Sequence, residues 1–491
     1  MLTIQNVVSL SDFKNHPLEF KGKKPEKKAI RPDPLNRQKV DLKKIDNIGW
    51  VFSGGGAKGV FEIGVACALA KAGLLPDVVV GTSVGALNAA AIANGDIDKA
   101  VDLWKDISKD KVYKTRISKI IFEGIGQIAN WLGIKNDQKV KAVLDNTPLR
   151  ELLRQELDYE KILDNTRANH VELLMGVLGL NEGHEALFAS PELYGKLADR
   201  YKDDPVHKIF KLSPENFEDA VIASTSIPVA FPAVKIDDEV FVDGGAGNNT
   251  PAKNAIDSLF AINDGLNQGL LFVMLLQPPE DAEGIRDSFT DKNASINRVG
   301  TKVLNIVLDN TAKTDVKMAQ EITEEIERWE GQNEKAQTTI EKLGQTTLGL
   351  KAKAAELLQL SKIIPDESEA TKIRKIAKKM QQMSQENLED TQQLSQLLSD
   401  YKPFGAKKKI KIVLIRPEKP FGVDTLEFDK AGQKADEIIQ MGYETALSAL
   451  KQTEVIDEVK YQALMQEEPY PVGNVFKKRA REKGQKLSRL V

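Results

Sequence analysis

Three short clusters in this chain have the residue types and spacing that acyl-transfer chemistry needs. Gly81-Thr82-Ser83-Val84-Gly85 follows the apolar run from Asp77 to Val80 and precedes an Ala-rich run from Ala86 to Ala93. That order reads as strand, sharp turn, helix, with Ser83 on the turn. Glycines two positions before and after the serine let neighbouring backbone pass close to it. The helix that follows aims free N–H groups and a partial positive charge at whatever oxygen Ser83 attacks. The same pentapeptide also occurs as a plain turn in binding proteins, so its placement between strand and helix marks Ser83 as a candidate nucleophile.

The second cluster, Ser53-Gly54-Gly55-Gly56-Ala57-Lys58-Gly59, follows a buried-strand run (Ile48 to Phe52) and precedes a helical pattern from Val60 to about Lys71. Gly54, Gly56 and Gly59 satisfy the spacing of a dinucleotide loop, but the acid expected at the end of the next strand is missing. A phosphate loop fails too, because Val60 and Phe61 stand where Lys and Ser or Thr are required. An oxyanion hole is the third reading, since consecutive glycines let backbone N–H groups converge on an oxygen that becomes negative during acyl transfer.

The third is Asp243-Gly244-Gly245, at the end of the strand pattern Glu239 to Val242. Alone, such an acid is an ordinary turn residue. The four histidines, His16, His170, His184 and His207, all precede it. The Ser, acid, His order of the α/β-hydrolase triad is therefore not met with Asp243 as the acid. A carboxylate can take the serine proton directly, provided burial lifts its pKa from about 3.9 towards working pH.

Taken together, the three clusters resemble the patatin-like phospholipase family, with its G-G-G-x-[KR]-G loop, G-x-S-x-G serine and D-G-[AG] aspartate in this order. Asp145 to Arg150 and Ala223 to Pro232 are also similar to the family's segments. The resemblance implies a Ser83 nucleophile with Asp243 as base. It also implies Gly54 to Gly56 amides as oxyanion donors, Lys58 and Gly59 completing that loop, Gly81 and Gly85 shaping the elbow, and Gly244 and Gly245 following the base. It implies no metal and no cofactor, a phospholipid or other glycerolipid substrate, and an α/β fold. That fold is a three-layer sandwich with a mostly parallel central sheet. A rival reading keeps the fold without turnover, as a lipid-binding or scaffold protein, and nucleotide binding is a third.

The elements around these clusters fall into blocks. Residues 1–45 form a basic arm, with eleven Lys or Arg against four acids between 14 and 44 and prolines at 17, 25, 32 and 34. This composition predicts an extended or disordered segment. Residues 46–315 form the first part of the catalytic domain, and 403–460 supply its closing strand (Lys409 to Ile415) and helix (Phe428 to Leu450). Between them, 316–402 carry an apolar four-three spacing. It runs from Ile322 through Ile326, Leu343, Leu350 and Leu357 and returns through Ile376, Met383 and Leu394. That pattern predicts an inserted antiparallel helical hairpin, packed as a coiled coil. It is read as a structural outgrowth or as a docking arm for a protein partner through 322–398. Residues 461–491 form a basic tail.

Within the first block, Trp104 to Leu149 interleaves Lys105, Lys109, Lys111, Lys114, Arg116 and Lys119 with Trp104, Tyr113, Phe122 and Trp131. A lid or membrane-facing surface and a plain amphipathic helix both fit that pattern. A net charge of −3 gives no overall pull towards nucleic acid, and none is expected as a partner. An anionic membrane would have to be met by the local basic clusters. The lone cysteine, Cys67, reads as a small buried helix residue. With no apolar run of membrane-spanning length and no secretory signal pattern, the expectation is a cytoplasmic, peripherally membrane-associated protein. Export by a signal-independent route stays open.

Overall fold

The computed structural model describes residues 36, 39–115, 142–169, 171–204, 206–263, 266–279, 282, 296–362, 367–400, 409–476 and 478–479. Nine strands form one sheet among these residues. They are β1 (Asn47–Phe52), β2 (Val78–Thr82), β3 (Glu172–Gly179), β4 (His184–Ala189), β5 (His207–Lys211), β6 (Val234–Ile236), β7 (Glu239–Asp243), β8 (Gln268–Met274) and β9 (Lys409–Ile415). Their order is β9-β8-β1-β2-β3-β4-β5, with β7 paired to β3 and β6 to β7. The run from β9 to β3 is parallel, and the β3–β4 and β3–β7 pairs are antiparallel.

Both faces of this sheet are covered, which explains why its central strands are apolar throughout rather than alternating. Successive residues point to opposite faces. Trp50, Phe52, Val79, Leu270, Phe272 and Met274 enter one core, while Val51, Val78, Val80, Leu271 and Val273 enter the other. The first core is closed by α1 (Val60–Lys71), α2 (Val84–Ala93), α3 (Ile97–Lys105), α4 (Thr147–Glu156) and α5 (Pro214–Ser224). The second is closed by α6 (Ala252–Ile262) and by Ala312, Val316 and Ala319 of α7 (Ile296–Leu360). The result is a three-layer α/β sandwich. α1 is buried on every side, with Lys71 alone half-buried. Cys67 lies inside it, and burial pushes its thiol up to about 12, so it is an inert core residue.

α7 pairs with α8 (Glu367–Asp400) as an antiparallel hairpin. Two features differ from the expectation. First, α7 is one helix of 65 residues that runs straight through the boundary placed at 316. Its root belongs to the sandwich: Leu308, Ala312, Val316, Ala319 and Ile326 are buried, and Glu327 pairs with Lys411 of the edge strand β9 at 2.9 Å. Second, the seam between α7 and α8 is not the large apolar stripe. Thr347, Ala354 and Ser361 are buried, as are Ala370, Ala377 and Ser384, two sets spaced by seven. Leu343, Leu350, Ile376, Met383 and Leu394 are exposed instead. Small side chains let two helices approach closely, and an apolar count along the sequence does not register that preference.

The closing helix is split at Lys434 into Phe428–Gln433 and α9 (Ala435–Gln452). The basic arm is not free along its whole length. Asn36 is buried and brackets Leu414 of β9, donating to its carbonyl and accepting from its amide at 2.7 and 2.8 Å. Val40 is buried, its N–H bonded to the Thr453 carbonyl at 2.9 Å. In the tail, Phe476 is buried and Arg479 binds the Asp77 carboxylate and the Pro76 carbonyl. In both segments, one apolar side chain and a few satisfied polar groups outweigh the local charge. Lys39, Lys43, Lys44 and Lys478 are also described, with Lys39 against Glu454 and Lys44 against Asp41. The other basic residues of the arm and tail, with Arg116, Lys119, Phe122, Trp131, His16 and His170, lie outside the described residues. No described helix is long and apolar enough to cross a membrane.

Candidate active site

The strand-to-helix turn between β2 and α2 is as tight as its glycines require. A Cβ on Gly81 would lie 2.1 Å from the Gly85 carbonyl oxygen, and one on Gly85 would lie 2.4 Å from that of Phe52. Ser83 itself has φ 57° and ψ −130°, a left-handed backbone that costs a non-glycine residue of order 1–3 kcal/mol. The strain is held by long-range bonds. The Ser83 N–H donates to Ser224 Oγ at 2.9 Å, and Ser224 Oγ donates to the Gly176 carbonyl at 2.7 Å.

Ser83 Oγ donates to Asp243 Oδ2 at 2.7 Å. Asp243 ends β7, and its N–H is bonded to the Ser226 carbonyl at 2.9 Å. Its other oxygen accepts from the Gly245 N–H at 2.8 Å. Burial pushes the Asp243 carboxyl up to about 7, against the lowering effect of the bonds from Ser83 and Gly245. That value suits a group that must take and return a proton near neutrality. Gly244 packs on the Gly176 backbone, where a Cβ would lie 2.6 Å from its oxygen. The two described histidines sit elsewhere: His184 beside Glu239, and His207 between Glu185 and Asp204.

The glycine loop is brought against this pair, with one correction. The Gly54 N–H is bonded to the Asn249 carbonyl at 3.1 Å, so it is not available to an oxyanion. The amides of Gly55 and Gly56 have no acceptor among the described residues. Lys58 is buried, and its Nζ donates to Asn305 Oδ1 at 2.9 Å. Burial pulls its ammonium down to about 8, although Asp424 and Asp309 act the other way. Gly59 packs against Val84, and its carbonyl accepts from Asn88 Nδ2 at 2.9 Å.

Four residues near the site escaped the motif reading: Glu62, Asn88, Asn249 and Asn305. Glu62 is fully buried and accepts from the Ser53 N–H at 2.7 Å and from Asn88 Nδ2 at 2.8 Å. Burial holds its carboxyl well above the usual range. The signal was present in the sequence, because Glu62 and Asn88 are lone polar residues in otherwise apolar helices, and such residues persist only when paired.

Ser83 and Gly56 open onto a cavity of about 960 Å³, its mouth included, lined by Leu87, Trp104, Leu149, Leu153, Phe231 and Leu426 among others. Almost all of its lining is apolar, so it suits a hydrocarbon chain. Trp104 is therefore not a membrane-facing residue. It is buried, with its indole N–H donating to Asn88 Oδ1 at 2.9 Å.

Fold and site define a class: a mostly parallel α/β sandwich with a serine on a strand-to-helix elbow, paired to a buried carboxylate rather than a histidine. The model of the patatin-like phospholipase family matches residues 50–256. That segment, about two fifths of the chain, is similar to the family. Among solved structures, VipD from Legionella pneumophila is similar at 14% sequence identity and a TM-score of 0.30. The similarity covers 85% of this chain and 70% of that one, and it is too remote to carry further inference. No curated protein sequence matches the chain.

Proposed function

We propose that this protein is a serine-dependent carboxylic ester hydrolase of phospholipase A type. In this reading 46–315 and 403–460, together with the root of α7 as far as Glu327, form one catalytic domain interrupted by the rest of the helical hairpin. The observation that carries it is the 2.7 Å bond from Ser83 Oγ to the buried Asp243 carboxylate, beside an apolar cavity. Asp243 takes the Ser83 proton as Oγ attacks the ester carbonyl carbon. The carbonyl electron pair moves onto oxygen, where the Gly55 and Gly56 amides and the N-terminus of α2 stabilise it. The tetrahedral adduct collapses by breaking the bond to the glycerol oxygen, which leaves with the proton from Asp243. Water then attacks the acyl-serine, giving its proton to Asp243. Release of the fatty acid returns that proton to Ser83 Oγ.

The test is covalent labelling with a fluorophosphonate probe, together with mass spectrometry of a lipid extract before and after incubation. Labelling of the wild type, its loss in Ser83→Ala, and release of free fatty acid are the expected results. No labelling and no fatty-acid release would instead support a lipid-binding or scaffold protein. The substrate and the basic terminal segments support a peripheral association with anionic membrane.

A further inference from the structure

The glycine loop depends on one side chain that no motif singles out. Asn249 is 3% exposed and holds Gly54 from both sides. Its backbone carbonyl accepts from the Gly54 N–H at 3.1 Å, and its side-chain Nδ2 donates to the Gly54 carbonyl at 3.2 Å. A trans peptide is planar, with C=O and the following N–H on opposite sides. Fixing the Gly54 carbonyl on Asn249 therefore turns the Gly55 N–H away from Asn249.

The clamp lies against the reacting pair. A Cβ on Gly54 would sit 2.2 Å from Asn249 Oδ1 and 3.0 Å from Ser83 Cβ, and one on Gly245 would sit 2.8 Å from Asn249 Oδ1 and 3.1 Å from Asp243 Oδ1. The absence of side chains at 54 and 245 makes room for the amide as much as for substrate. Asn249 is in turn held by the root of α7: its Nδ2 also donates to the Leu308 carbonyl at 3.2 Å, and the next N–H, of Thr250, donates to Asp315 Oδ2 at 2.9 Å. The same helix supplies Asn305, which accepts from Lys58 Nζ and from Thr425 Oγ1 at 2.6 Å.

We propose that Asn249 is a positioning residue for acyl transfer, setting the direction of the Gly55 oxyanion donor from a seat fixed by α7. The inference rests on the acyl-hydrolase reading above. It predicts that loss of the Asn249 side-chain donor slows the chemical step without abolishing the site, since misplacing a catalytic group by about 1 Å costs roughly 100-fold.

The experiment compares wild type, Asn249→Ala and the near-isosteric Asn249→Asp in the full chain. Three quantities are read: the number of serines labelled by a fluorophosphonate at completion, the labelling rate per labelled serine, and kcat and KM on a soluble p-nitrophenyl ester. The count of labelled serines corrects for any unfolded fraction. The expected result is a rate per labelled serine and a kcat reduced by about 10- to 100-fold in both variants, with KM within about twofold. Fewer labelled serines with an unchanged rate per serine would mean that Asn249 serves stability alone, and would overturn the proposal. An unlabelled wild type would overturn the hydrolase reading and this inference together.

Discussion

Asp243 carries opposing demands, and its pH dependence exposes both. As the proposed base it must be ionised, so ester turnover should rise with pH through about 7 and level off above. Its ionisation in a buried site also opposes folding. The folded-state value lies above the unfolded one, 3.8, so the folded chain binds the extra proton between those values and stability falls as pH rises from about 4 to 7. Above that the cost is fully present. Asp243→Asn should therefore abolish turnover as completely as Ser83→Ala, yet melt at a higher temperature than wild type at pH 8, with the difference shrinking towards pH 4. Thermal melts across that range check the sign. A wild type that outlasts Asp243→Asn at pH 8 would contradict the assignment of a costly buried carboxylate.

At the scale of elements, α7 does two jobs along its length. Its root buries Ile326, 1% exposed, whereas Ile376 on α8 is 55% exposed. Ile326→Ala should cost about 2–5 kcal/mol, and Ile376→Ala no more than about 0.5 kcal/mol, as measured by denaturant unfolding. Equal costs would show that the large apolar stripe, not the Thr347 and Ala354 stripe, forms the seam. Replacing 332–396 by a short Gly-Ser bridge spares the root and the Glu327–Lys411 pair. The shortened chain should stay folded and react with the probe, while removal of 296–330 as well should leave insoluble protein, because Asn249, Lys58 and the β9 edge lose their supports.

At the scale of the whole molecule, a net charge of −3 leaves membrane attraction to local clusters, and several of these are already paired. Lys105 meets Asp436 at 3.1 Å, Lys111 meets Asp106, and Arg479 meets Asp77. The proposed electrostatic binding to anionic vesicles is therefore expected to depend on residues 1–35 and 480–491, with each basic group contributing about 1 kcal/mol near the surface. Co-sedimentation should fall steeply as salt shortens the Debye length from about 10 Å at 0.1 M to about 3 Å at 1 M. It should be largely lost when both segments are removed, with soluble-ester turnover nearly unchanged. Binding that persists through either treatment would move attention to apolar insertion.

Backbone sterics and side-chain periodicity are local, and what they control was legible in the sequence. The elbow at Ser83, the glycine loop after β1, the helix from Val60 to Lys71 and the strand ending at Asp243 follow from residue types within a few positions of each other. Contacts between distant parts of the chain were not legible. The bond from Asn249 to Gly54 spans 195 positions and that from Lys58 to Asn305 spans 247; the bond from Ser83 to Asp243, across 160 positions, was expected only through the family resemblance. The loss of the Gly54 amide to Asn249, the burial of Trp104 beside the cavity and the small-residue seam of the hairpin arise in the same way. Each is a choice among partners that are equally acceptable locally. The choice is made by which elements the two-sided packing of one sheet brings within hydrogen-bonding and van der Waals reach.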